Sequence, residues 1–530
     1  MADEREDEAT PKRATERGSA SARDTRERLC TGECTRARTR AVADESWWQP
    51  GLVVVEFLNP VEPEWFAEAN RAGRPEPNAP WLDVFTVWDV LDEHGLAHDP
   101  EWTFDYDASG LSPDSDRARF INFRFRPDED VVSISALMRG MRGVVFAAPE
   151  PLLAAPDELL DISQPDDLPL VGSRPNETPL LNEPLATSGG DPNGKAVVNP
   201  ATQLQNQWYL FRCEADDVLT GRAGRGVVVA DIDWGFRVSH QDLTGGRIKF
   251  SLNVKENNND VTRGPRVEHG TAVLGLLGGD DNNAGMLGFA YEAELWAIQA
   301  DNGKGSFDSG LWARAIKIVS DRPSNGKPKV ILVEASSNRG GNVEMSSRVR
   351  KEIIDAISGG AIVCVAAGSA GLNADDDHSG VNIPPTGSIL IGATKYTANT
   401  GLHQRGASNW TRGDRIVVSA PGGINHDVTC CNCADDRYRN DFGGSSGAAP
   451  KVAGTIALML EENPALNHAQ VREILRRTGR QISVTDGKLI GTFLNTKEAV
   501  AEAARAGGRM RQMFRRIGDF FGGLFGRGGD

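Results

Sequence analysis

Over 530 residues, 74 acidic side chains outnumber 58 Lys and Arg, for a formal net charge of −16; so acidic a surface repels polyanions and excludes nucleic acid as the main partner. The length is too great for one typical domain, so two domains with tails are expected. No apolar run reaches the length that spans a bilayer, and the first 45 residues lack the apolar segment of a secretory signal, which makes a cytoplasmic location the expectation.

Residues 1–48, opening MADEREDEATPKR, are charged and polar and are expected to stay disordered. From Gly51 the pattern changes. GLVVVEFLN predicts a strand, Trp81–Leu96 an amphipathic helix, Thr103–Asp107 and Arg119–Phe125 strands, Val131–Met141 a helix and Gly143–Ala147 a closing strand. That βαββαβ order predicts a small ferredoxin-like α+β domain over 49–150. Residues 151–205, rich in Pro, Asn, Asp and Ser, predict an extended linker of a kind that can lie in a cleft as an added strand. Over 206–505 strands and helices alternate. Strands are predicted at Val227–Ile232, Glu294–Gln299, Val330–Glu334, Ala361–Ala366, Ser388–Ala393 and Arg415–Ser419, and helices from near His269, Ser309, Val343, Ser446 and Asn467. Such alternation predicts an α/β fold with a mostly parallel doubly wound sheet, its site at the strands' carboxyl ends.

Three stretches of that region carry chemistry. GVVVADIDWG ends an apolar strand on Asp233 and breaks at Gly235. HGTAVLGLLGG opens an apolar, glycine-spaced helix on His269, and FGGSSGAAPKVAGTIALML places Ser446 at the start of a buried one. A hydroxyl at a helix N-terminus lies beside unpaired N–H groups and the positive end of the dipole, which stabilise an oxyanion. Any one stretch alone reads as tight packing; together they hold a carboxylate, an imidazole and a nucleophile.

In that order the chain resembles the subtilisin-like serine proteases, the subtilases, from about Asn206 to Ala504. Their VIDTG is similar to Asp231–Gly235, their HGTHVAG to His269–Gly275 and their GTSMAAP to Gly444–Pro450. The resemblance implies a serine endopeptidase with Ser446 as nucleophile, His269 as general base and Asp233 as the carboxylate that orients it. It implies that 49–150 is a propeptide-like intramolecular inhibitor, with MRGVVFAAPEP as its last strand, and that proteins or peptides are the substrates. Two departures stand out. The family's oxyanion asparagine in AAGN is replaced by Ser369 in CVAAGSAGLN, with Asn373 as a substitute donor four residues on. Trp234 replaces a small residue and is expected to shape the wall near His269. Segments holding Gly303 and Gly305, and Glu334, Ala335 and Ser336, match the strands that pair with substrate, and Glu334 there points to basic side chains. The resemblance requires no cofactor; Asp242 and Asn282 match the positions of its structural calcium site, and otherwise read as a turn of solvated polar residues.

Seven cysteines include Cys213 and Cys364, expected to be buried, and Cys430, Cys431 and Cys433 in one loop, which reads as reduced surface thiols or as a metal or oxidant sensor. Residues 506–530 form a basic amphipathic tail. Its Met510, Met513, Phe514, Ile517, Phe521, Leu524 and Phe525 recur at helical spacing, so 509–527 fits a membrane surface, a protein partner or its own protease domain. The alternative function is a pseudoprotease, a peptide-binding module with an impaired oxyanion hole.

Overall fold

The computed structural model describes residues 48–59, 61, 82–102, 119–151, 153–154, 207–282, 285–301, 303, 308–337, 341–368, 373–375, 383–394, 411–422, 428–431, 435, 438–481 and 490–507. The expectations for residues 1–47, for the 103–107 strand, for the linker beyond 154 and for 508–530 lie outside the described residues.

The chain opens with β1 (Trp48–Phe57), α1 (Leu82–Glu93), β2 (Asp99–Trp102), β3 (Phe120–Arg124), α2 (Val131–Arg139) and β4 (Val144–Pro151). The strands form an antiparallel sheet in the order β2-β3-β1-β4, the ferredoxin-like arrangement. Val53, Val55 and Phe57 share a face because side chains two apart in a strand point alike, and they pack with Ile121, Phe123, Trp88, Leu91, Ile134 and Met138. The alternate set, Leu52, Val54, Asn122, Phe146 and Ala148, is buried too. A sheet with helices on one side ordinarily leaves its other face wet. Here that face lies against the rest of the chain: Arg350 sits 4.4 Å over the Phe146 ring, and β1 and β4 run against residues 343–358.

Next come β5 (Leu153–Ala154), α3 (Trp208–Arg212), α4 (Asp216–Leu219), β6 (Val228–Asp233), β7 (Ile248–Asn253), α5 (Val267–Gly278), β8 (Glu294–Gln299), α6 (Ser309–Asp321), β9 (Lys329–Val333) and β10 (Ser336–Ser337). They are followed by α7 (Ser347–Ser358), β11 (Ile362–Ala366), β12 (Ile389–Thr394), β13 (Ile416–Pro421), β14 (Val428–Cys431), β15 (Tyr438–Phe442), α8 (Gly444–Glu462), α9 (His468–Thr478) and β16 (Thr492–Phe493), with helix again at 496–507. Eight strands make one parallel sheet in the order β16-β13-β12-β11-β9-β6-β8-β7. One face packs on α5, α8 and α9, the other on α6 and α7. From β6 the chain winds to β8 and β7 on one side and then returns to place β9 on the other. β6 therefore ends where the winding reverses, above the crevice that open parallel sheets form there. Among the described residues no helix is long and apolar enough to cross a membrane.

The six strands expected in this region are present, Glu294–Gln299 with both ends as expected and the others with ends displaced by at most two residues. Near Val343 the chain makes a single 3₁₀ turn, Val343–Met345, before Ser346 starts α7 by accepting the Val349 N–H; two capping side chains in succession split what the pattern joined. The hairpin β14–β15 and the short strands β7 and β16 were not anticipated. β7 is a half-exposed edge strand, and the hairpin is built from mostly polar residues, so neither has the apolar signature of a central strand.

Candidate active site

Asp233 is the last residue of β6 and is fully buried. Strand alternation turns Val228, Ala230 and Ile232 toward α6 and α7, leaving Asp231 and Asp233 on the face of α5 and α8. The Asp233 carboxylate accepts the Trp234 N–H at 2.5 Å and meets His269 Nδ1 at 2.7 and 2.9 Å. His269 is the third residue of α5. Its neighbours explain the approach: a side chain on Gly270 would collide with the Gly235 carbonyl and lie 2.8 Å from the Phe236 ring, while Thr271 Oγ1 accepts the Arg237 N–H at 2.8 Å. The turn after the aspartate is thereby clamped to the first turn of the histidine helix. Phe442 meets the imidazole edge-on at 5.4 Å. With Nδ1–H donating to the carboxylate, Nε2 carries the lone pair, the tautomer a general base needs.

Ser446 is the third residue of α8 and is buried. Gly444, at φ +66, donates its N–H to the Gly422 carbonyl at 2.6 Å and so seats the helix start on the end of β13. Ser445 Oγ accepts the Gly368 N–H at 3.1 Å, tying the serine turn to the end of β11. Buried Lys451 donates to the Pro421 carbonyl at 2.8 Å and to the carbonyl of Gly447. Helices α5 and α8 pack together. The Ser446 hydroxyl makes no hydrogen bond among the described residues. Catalytic contacts commonly tighten only when substrate binds.

Asp231 was missed in the sequence, where it occupies the valine position of VIDTG. Its carboxyl is fully buried and makes no hydrogen bond among the described residues. Burial first, and then the Asp233 charge, push its pKa well above the ordinary carboxylate range. The shift favours its protonated form and leaves the negative charge to Asp233.

The remaining expected residues fall in several places. Ser336 and Ser337 form β10, already paired antiparallel with Ala154 and Leu153 of β5. Glu334 and Ala335 are fully buried, and the Glu334 N–H donates to the Ile232 carbonyl at 3.1 Å. Gly303 is exposed at φ +82 and donates its N–H to Asp301 at 2.9 Å. Ser369 and Gly305 lie outside the described residues. Asn373 bridges to Arg412, and its Oδ1 accepts the Asp375 N–H at 3.2 Å. Trp234 turns to the opposite face of the sheet, edge-on to Trp312 at 5.6 Å; the wall beside His269 is Phe442 instead. Asp242 and Asn282 are together, Nδ2 lying 3.1 Å from Oδ1. Cys213 and Cys364 are buried thiols; burial pushes the first up to about 12 and also raises the second, so neither is a reactive thiolate.

Residues 224–505 match the model of the Subtilase family. Subtilisin DY of Bacillus licheniformis is 30% identical over 284 residues, covering 53% of this chain and 93% of that protein. A calcium-dependent protease of Trichormus variabilis is 28% identical over 327 residues, 56% of this chain and 46% of its own. Among solved structures, fervidolysin from Fervidobacterium pennivorans, a keratinolytic enzyme related to subtilisin, superposes with a TM-score of 0.50 at 16% identity, covering 86% of this chain and 61% of that one; that likeness shows the fold.

Proposed function

The chain belongs to the subtilase family and is a serine-type endopeptidase, and on that premise we propose that Asp233, His269 and Ser446 are its catalytic triad. The observation that carries the assignment is the 2.7 Å contact between buried His269 and Asp233 at the carboxyl rim of the sheet, with Ser446 opening the helix packed alongside. In the reaction Ser446 Oγ attacks the scissile carbonyl carbon while its proton passes to His269 Nε2. Asp233 holds the imidazole in register and stabilises the imidazolium. That proton then goes to the leaving amine, and the same base activates the water that frees the acyl group. The oxyanion forms beside the Ser446 N–H at the start of α8, with the Ser369 hydroxyl standing in for the usual asparagine amide. No step draws on a metal.

We read residues 49–150 as an intramolecular inhibitor, 151–205 as its tether and 206–505 as the protease domain, flanked by the tails 1–48 and 506–530. Two features support inhibition. The ferredoxin-like sheet buries its second face against residues 343–358, and β5 pairs with β10 where substrate backbone would add as a strand.

The test is labelling with a fluorophosphonate. Ser446 is expected to be modified in the processed protein and Ser446→Ala to remain unlabelled. The second reading, a peptide-binding pseudoprotease, is favoured by Ser369 at the oxyanion position. It predicts no labelling and no casein cleavage even after the N-terminal domain is removed.

A further inference from the structure

The resemblance assigns Asp242 and Asn282 to a calcium site, and the groups around them do not fit that ion. Calcium takes six to eight oxygen ligands; around the Asp242 carboxylate the neighbours are hydrogen-bond donors. Oδ2 accepts the Met286 N–H at 3.0 Å. Oδ1 faces the amide nitrogen of Asn282, which also donates to the Gln241 carbonyl at 3.1 Å, so the side chain presents its donor end where a metal would need its oxygen. The third neighbour is the Tyr438 hydroxyl, which hydrogen-bonds the same carboxyl and is itself met by Gln241 Nε2 at 2.7 Å. A side chain on Gly285 would collide with both the Tyr438 hydroxyl and the Asp242 carboxylate, so those groups close on the Gly285 backbone. The nearby Asp280 is likewise taken, by Arg247 and by the Gly245 N–H at 2.6 Å.

Tyr438 comes from β15, and the turn ahead of it is fastened to the same loop. Asp435 accepts from Arg237 and Ser239 through its carboxylate, each at 2.6 Å, and from the Gln241 N–H through its carbonyl at 2.7 Å. The His240 ring stands edge-on to Tyr438 at 5.2 Å. We propose that the Tyr438 hydroxyl takes the place of the cation: the β14–β15 hairpin latches the loop at 237–243 by hydrogen bonds, that loop holds Asn282 and Met286 through Asp242, and the Asp242–Asn282 position binds no calcium. The latch also serves the catalytic machinery, because β15 runs on through Phe442, against His269, into the Ser446 helix.

Thermal unfolding of the full chain decides this, carried out in the Ser446→Ala background to prevent self-digestion, in excess EDTA and then in millimolar CaCl₂. The expected result is one midpoint in both buffers, and a midpoint lower by about 2–4 °C in both for Tyr438→Phe, which loses the hydroxyl. A calcium-dependent rise that survives Asp242→Asn and Asn282→Ala puts the ion elsewhere in the chain and also supports the latch. A rise lost in either variant overturns the proposal, and so does a Tyr438→Phe protein that melts with its parent. Asn282 is exposed, so its variant is expected to fold even where the buried Asp242→Asn fails.

Discussion

A serine hydroxyl reaches less far than an asparagine amide, so Ser369 makes the proposed oxyanion hole short of one full donor. Ser369→Asn is expected to raise turnover of a chromogenic peptide by about 10²-fold with little change in KM; turnover that stays put or falls places the donor elsewhere. Asp231 calls for a pH experiment. Its folded pKa lies above the unfolded value because of burial and then Asp233. The stability it contributes is thus present while it is protonated, fully so below the unfolded carboxyl value, and is lost as pH rises through the raised folded value. Asp231→Asn mimics the protonated form and should remove that alkaline loss. Guanidinium unfolding of both proteins in the Ser446→Ala background checks it, the stability gap shifting in favour of the variant as pH rises. At this scale the proposed triad Asp233, His269 and Ser446 is legible from three motifs, that of His269 with neighbours that serve its approach: Gly270 for close contact and Thr271 for the tie to Arg237. Asp231 is not, since an aspartate inside an apolar strand carries no sign of whether it meets a donor.

Among elements, a very short pairing bears on latency. β5 and β10 pair over two residues each, Leu153 with Ser337 and Ala154 with Ser336, on the edge proposed to take substrate. Proline cannot donate to a ladder, so Ala154→Pro is expected to loosen the segment and shorten the lag before casein hydrolysis begins; an unchanged lag would mean that the pairing does not govern latency. The hairpin β14–β15 matters for a different reason: it links the Asp242 loop, the imidazole and the nucleophile's helix in one ribbon. Its polar residues and cysteines read as a surface loop because strand patterning reports burial, whereas this hairpin is held by side chains of the loop it covers.

For the whole molecule, the antiparallel sheet of the first domain closes both its faces, one on its own helices and one on residues 343–358. Mass spectrometry of the purified chain beside Ser446→Ala is expected to show a product cut after residue 154 and before 207 in the first sample only. The same product in both would assign the cut to another protease. Alternation of strands and helices, the βαββαβ order and the three motifs were determined by the sequence alone, since periodicity and local spacing are properties of neighbours in the chain. Tertiary structure alone decided that Asp233 meets His269, that Trp234 faces away and Phe442 takes its place, that Tyr438 meets the Asp242 carboxyl, and that Leu153 lies on Ser337. Each joins residues far apart in sequence, or turns on which of two faces a side chain takes, and those outcomes are set by packing and by competition for buried hydrogen bonds, which no local pattern encodes.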